Sequence, residues 1–153
     1  HDPYFIELGK DFKIYKVYRD DKSNASTQIK PIGKKYLDHN SYAEVNYQIF
    51  ELPSETYFLE IYDHSRRKEE SGGKYKGSSY TCFDEYMFEE YFKAKGIKRN
   101  CKSDNGKDDI MPITRLRHDI AHGKNINPSI ADLEGGISSM IDFINRQITL
   151  NDK

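Results

Sequence analysis

The 153-residue chain is 32% charged and 36% apolar, with a formal net charge of −1. That length suits one domain with a real core and is too short for two full ones, and near-neutrality excludes an overall field that draws in nucleic acid. Two cysteines, Cys82 and Cys101, make neither a disulfide framework nor a metal cluster, and no apolar run or signal-peptide pattern points to a membrane, so the expectation is a soluble, cytoplasmic protein without a cofactor.

In chain order, Phe12, Ile14 and Val17 alternate with Lys13, Tyr15 and Lys16, which predicts a strand over 11–19. Residues 20–27 read as a polar loop and 31–33 as a break. Residues 1–40 are therefore set apart as an N-terminal extension or the end of a preceding domain. The chain opens on His1 rather than Met, which leaves room for an upstream sensor domain. Helical periodicity begins at Ser41, which stands at capping-box spacing from Glu44. Tyr42, Val45, Ile49 and Leu52 follow on one face, and Pro53 ends the helix. Ser54 caps a second helix that buries Phe58, Ile61 and Tyr62 and runs into Arg66, Arg67 and Lys68. The Gly, Ser and Lys residues over 71–79 make a flexible loop.

A third helix is predicted over 81–95, with Phe83, Met87 and Tyr91 on one stripe, Phe88 and Phe92 beside it, and Gly96 as its stop. Glu85, Glu89 and Glu90 lie on its polar side, and 98–107 is a polar loop. The last helix carries Ile130, Leu133, Ile137, Ile141, Ile144 and Ile148 as one apolar stripe, a core or a dimer interface. Pro128 and Ser129 start it, and Gly135-Gly136 suits close packing or a kink. Most of the 12 tyrosines fall at helical spacing beside Phe or Ile and read as core and rim.

Between these helices lies Arg117-His118-Asp119-Ile120-Ala121-His122-Gly123. Asp108 and Asp109 can cap a helix there, Pro112 suits its first turn, and Ile113, Leu116 and Ile120 mark an apolar face. Gly123 supplies the positive-φ residue beyond the last turn. A helix over 109–122 thus carries its charged and titratable groups near its C-terminal end. An imidazole such as His122 gives or takes a proton near neutral pH, and the fork of Arg117 holds phosphate oxygens in a bidentate way. Together they suit RNA cleavage by an attacking 2′-hydroxyl, with no metal required. Five helical residues, however, rotate by about 140° and rise about 7.5 Å, so the two side chains meet only by a bent arginine, a distorted helix or a second copy of the chain. From Tyr91 to Lys124, nine Lys/Arg face four Asp, a local balance of +5. Arg99, Arg115 and Lys124 of that segment are the expected phosphate-binding residues.

The Arg-x4-His pattern with its Ala121 and Gly123, set before a final apolar helix, resembles the HEPN superfamily over about residues 81 to 150. The resemblance implies a helical bundle and a metal-independent ribonuclease of toxin–antitoxin or antiviral-defence type that leaves 2′,3′-cyclic phosphate ends. It implies Arg117 and His122 as the active pair, often joined across a homodimer, with His118 in the auxiliary polar position. It also implies an acidic or polar residue of the 81–95 helix near the pair, and an antitoxin or inhibitor as partner.

Other readings stand beside this one. Arg117 and His122 also suit a helix end structurally. His118 and His122 have the i, i+4 spacing of zinc ligands, though no CxxC or HExxH accompanies them. A catalytically silent nucleotide- or partner-binding module and a protein-interaction domain docking through the last helix are the alternatives in function. The expected architecture is mainly α, a HEPN-like bundle over 41–153 preceded by a short irregular or β-containing segment.

Overall fold

The computed structural model describes residues 4–7, 13–19, 27–71, 88, 91–124 and 127–151, which fall into two units, 1–52 and 53–153. Most of these residues are helical, and among them no helix is long and apolar enough to cross a membrane.

In the first unit, β1 (Tyr4–Glu7), β2 (Lys13–Arg19) and β3 (Thr27–Lys34) form an antiparallel sheet in that order. The strand foreseen over 11–19 is β2. The break foreseen at 31–33 instead lies within β3, where Ile14 pairs with Gly33 and Tyr15 with Pro31, so the register shifts there. Pro31 lacks a backbone donor and is tolerated because β3 is an edge strand with an irregularity at that point.

Helix α1 (Tyr42–Phe50) starts as foreseen: Ser41 is extended and its Oγ accepts from Glu44 N at 3.2 Å. Glu44, 1% exposed, accepts from Tyr36 N at 3.1 Å and Leu37 N at 3.3 Å, a carboxylate serving two backbone donors of the preceding loop. Lys34 N also reaches Gln48 Oε1 at 3.4 Å. These bonds join α1 to the end of the sheet, so this helix belongs to the first unit, whereas the sequence reading placed the break after residue 40. The helix ends at Glu51 in the left-handed region (φ 54°), and the expected Tyr42–Leu52 face is open at both ends, with Tyr42 and Leu52 exposed.

The second unit opens with α2 (Glu55–Ser71), capped by Ser54 Oγ accepting from Tyr57 N at 3.1 Å. Tyr57, Phe58, Ile61, Tyr62, His64 and Ser65 are buried, a broad helical stripe. Helix α3 is described at residues 88 and 91–94; the 81–87 part of the predicted helix, with Glu85, and also Glu89 and Glu90, lie outside the described residues. Its stop is as foreseen. Gly96 has φ +74°, Gly96 N donates to Lys93 O and Ile97 N to Phe92 O, both at 3.0 Å, a Schellman ending.

Next comes a hairpin where a loop was expected: β4 (Cys101–Lys102) pairs with β5 (Asp109–Ile110). Its turn closes with Gly106 N donating to Ser103 O at 2.9 Å and Ser103 N to Asp108 O at 2.9 Å. Helix α4 (Pro112–Ala121) follows, then α5 (Ile130–Asn151), whose first turn is capped by Ser129 Oγ accepting from Asp132 N at 3.1 Å. The start of α4 is not capped by Asp108 or Asp109. Asp109 lies in β5, Met111 is the N-cap, and Pro112 takes the first helical position, where its missing donor costs nothing.

Helices α2, α4 and α5 pack on one another. Edge-to-face rings link the layers, with Phe88 5.5 Å from Tyr62, 5.1 Å from Phe92 and 5.2 Å from Phe143, a geometry that adds to the apolar burial. Tyr91 donates to Asp142 Oδ2 at 3.0 Å, and Lys95 salt-bridges the same carboxylate, tying α3 to α5. Among the described side chains of α5, which end at Arg146 and so leave out Ile148, the buried set is Leu133, Gly136, Ile137, Met140, Phe143 and Ile144. The foreseen stripe is therefore right at 133, 137 and 144, while Ile130 is exposed and Ile141 half-buried.

The glycine pair divides its roles. A Cβ on Gly136 would meet Leu116 Cδ2 and Phe58 Cε2 at 2.9 Å, whereas one on Gly135 meets nothing within 4 Å. Gly136→Ala is thus expected to cost up to about 2 kcal/mol, an overpacking loss of about 1–3 less a helix-propensity gain of about 1. Gly135→Ala is expected to stabilise by about 0.5–1 kcal/mol. Urea midpoints of the two variants, moving in opposite directions, check this.

Candidate functional site

The Arg117–Gly123 stretch occupies the end of α4. His122 is the C-cap; Gly123, at φ +59°, donates from its N to Ile120 O at 3.3 Å, and Lys124 N donates to Asp119 O at 3.2 Å. This second Schellman ending fixes the backbone from which His122 projects. The His118 and His122 rings stack, centroids 5.3 Å apart and planes 27° from parallel. The His122 side chain is 49% exposed.

Facing this end is the turn of the β4–β5 hairpin, which offers Asp104. Its Oδ1 accepts from Arg115 Nη2 and Lys124 Nζ, each at 2.7 Å, and its Oδ2 lies 2.8 Å from His122 Nδ1. Arg115 also donates to Lys102 O at 2.9 Å and, through Nε at 2.8 Å, to Asp119 Oδ1. Asp119 is buried, so the arginine joins the helix interior to the hairpin. Hydrogen bonds from Lys124, Arg115 and His122 hold the Asp104 carboxyl well below the usual carboxylate range. Asp119, then Asp104, raise the Arg115 guanidinium.

A depressed carboxylate contributes stability that is present above its unfolded value, about 3.9, and fades as pH falls toward the lower value in the fold. The stability gap between the native chain and Asp104→Asn is therefore expected to narrow as pH falls below about 5. Thermal midpoints of both proteins measured down the acid limb test that. A gap that widens on acidification would show the opposite linkage.

Arg117 takes different neighbours. Its Nη2 is 4.0 Å from Asp63 Oδ1 of α2, its guanidinium lies 5.8 Å from the centre of the Tyr62 ring, and its side chain is 19% exposed. Its Nε has no hydrogen-bond partner among the described residues. Within one chain, then, Arg117 is turned to α2 and His122 to the hairpin, in keeping with the angle that five helical residues impose.

Of the residues foreseen for the site, the fold brings His118, His122, Arg115 and Lys124 together and sets Arg117 on another side. Arg99 stands half-buried on the segment before β4. Two carboxylates were missed. Asp104 and Asp63 come from the hairpin turn and from α2; the acidic residues of the 81–95 helix lie outside the described residues. The signal for Asp104 was the Ser103-Asp104-Asn105-Gly106 run, which has turn formers at the positions where a type I turn favours Ser and Gly. Among the described residues no group of three or more His, Cys, Asp or Glu is arranged to hold a metal ion. Compared with family models, curated proteins and solved structures, the chain matches none.

Proposed function

We propose that the chain is a metal-independent RNA endonuclease of HEPN type that acts as a homodimeric toxin or antiviral-defence effector. The observation that carries this reading is His122, a half-exposed imidazole on a rigid helix end whose Nε2 has no hydrogen-bond partner among the described residues. His122 takes the proton of a ribose 2′-hydroxyl. The 2′-oxygen bonds to the adjacent phosphorus, the bond from phosphorus to the next 5′-oxygen breaks, and that oxygen takes a proton from water. A 2′,3′-cyclic phosphate remains. Arg117, loosely held at 4.0 Å from Asp63, supplies the fork that stabilises charge on the phosphate oxygens.

Incubating the chain with mixed RNAs in excess EDTA tests the chemistry. Cleavage to cyclic-phosphate ends is expected to persist, and loss of activity that a divalent ion restores would overturn the metal-free route. The divergence of Arg117 and His122 within one chain favours a cleft built by two copies, the isologous contact pairing α4 with its equivalent. Mixing Arg117→Ala with His122→Ala is then expected to restore part of the activity, because each mixed dimer holds one intact Arg/His pair. Sedimentation of a fully active monomer would rule out the composite cleft.

A further inference from the structure

We propose that Asp104 is the positioning residue of this site: it fixes the His122 proton on Nδ1 and leaves Nε2 as the atom that takes the proton from a 2′-hydroxyl of RNA. The proposal rests on the nuclease reading above and adds to it a residue outside the Arg-x4-His pattern.

The two carboxylate oxygens have separate work. Oδ1 is taken by the two obligate donors, Arg115 Nη2 and Lys124 Nζ, and Oδ2 is left for His122 Nδ1 at 2.8 Å. An ionised carboxylate accepts and cannot donate, so the hydrogen in the Asp104–His122 bond belongs to the imidazole. Neutral His122 then carries its proton on Nδ1 and a lone pair on Nε2, since the bond made by one ring nitrogen sets the state of the other. The same carboxylate stabilises the ring once it is charged, as an aspartate behind a catalytic histidine does. Arg115 and Lys124 keep Asp104 ionised in return. Among the described residues, the titratable groups at the ring are Asp104 from the turn and His118 from α4, with Lys124 on the same Asp104 carboxylate. The turn itself is braced: Asn105 Oδ1 accepts from Lys107 N at 3.0 Å and from Ser103 Oγ at 2.5 Å, and Asp108 N donates to Ser103 Oγ at 3.2 Å.

Asp104→Asn separates this role from mere bracing. Arg115 and Lys124 can only donate, so they claim the amide oxygen, and the amide nitrogen is left facing His122 Nδ1. That nitrogen donates, Nδ1 becomes the acceptor, and the imidazole proton moves to Nε2. Imidazole nitrogen shifts by NMR, assigned against His122→Ala, are expected to show the Nδ1–H form in the native chain and the Nε2–H form in Asp104→Asn. Single-turnover RNA cleavage is expected to fall by about 10²- to 10⁴-fold in that variant, the range of a lost general base, with KM little changed.

An Nε2–H form in the native chain overturns the proposal without any variant, so a misfolded Asp104→Asn protein does not protect it. An unchanged tautomer, or full cleavage, in a folded Asp104→Asn also overturns it. Native chain with the expected tautomer but no cleavage of any RNA would instead sink the nuclease reading, and leave Asp104 positioning His122 for other proton chemistry.

Discussion

Arg117→Ala and His122→Ala are each expected to abolish RNA cleavage while leaving the fold nearly intact. Removing a donor that stabilises developing negative charge typically costs about 10²–10³ in rate, and removing a general acid or base about 10²–10⁴. The structural cost is small on both sides. Arg117 gives up a 4.0 Å pair with a half-exposed Asp63 and its place over the Tyr62 ring, each worth at most about 1 kcal/mol. His122 gives up one bond to an Asp104 that keeps its two other cations. Arg117→Lys is expected to fail almost as badly as the alanine variant, since an ammonium has no bidentate fork. Cleavage rates and thermal midpoints measured on the same preparations decide the matter. Midpoints that collapse with activity would return both residues to a structural role at a helix end, and unchanged rates would place the chemistry elsewhere.

Ile137→Ala is expected to do the reverse, costing about 2–5 kcal/mol of stability while the folded fraction keeps its chemistry. Ile137 is fully buried beside Gly136 in α5. Ile141, one turn on and half-buried, gives up only part of its transfer free energy, so Ile141→Ala is expected to cost roughly 1 kcal/mol. Chemical denaturation of both variants provides the comparison. Equal losses would mean that the apolar stripe as written in the sequence, and not the burial each residue reaches in the fold, sets the strength of this core.

That contrast shows what the sequence conveys and what it withholds. The 3.6-residue recurrence of Leu133, Ile137 and Ile144 made α5 legible, and the serine caps at 41, 54 and 129 and the glycine stops at 96 and 123 were readable because each is a local backbone device. Which flank of a stripe is covered is a tertiary fact, so Ile130 looked buried and Met140 and Phe143 went unnamed. The β4–β5 hairpin escaped because strands of two residues carry no alternation to detect, and with it went Asp104. Arg115 and Lys124, read as cations open to phosphate, are instead joined to that carboxylate; their distance from Asp104 in sequence, 11 and 20 residues, hides the association. Glu44 was legible by its spacing from Ser41, and only the path of the preceding loop could show that it serves Tyr36 and Leu37.

The irregular edge of the N-terminal sheet bears on how the protein behaves in a crowded solution. A sheet has two edges, and each is a template on which a neighbouring molecule can add a strand. Here one edge, β1, is four residues long, too short to offer much of a ladder. The other, β3, is interrupted by Pro31 and by the register shift beside it, so its row of donors is broken in the middle. Both edges are blunt, and growth of aggregates by strand addition is disfavoured at each. A Pro31→Val variant, which restores a donor and a strand-forming side chain, is expected to aggregate at lower concentration than the native chain in light scattering.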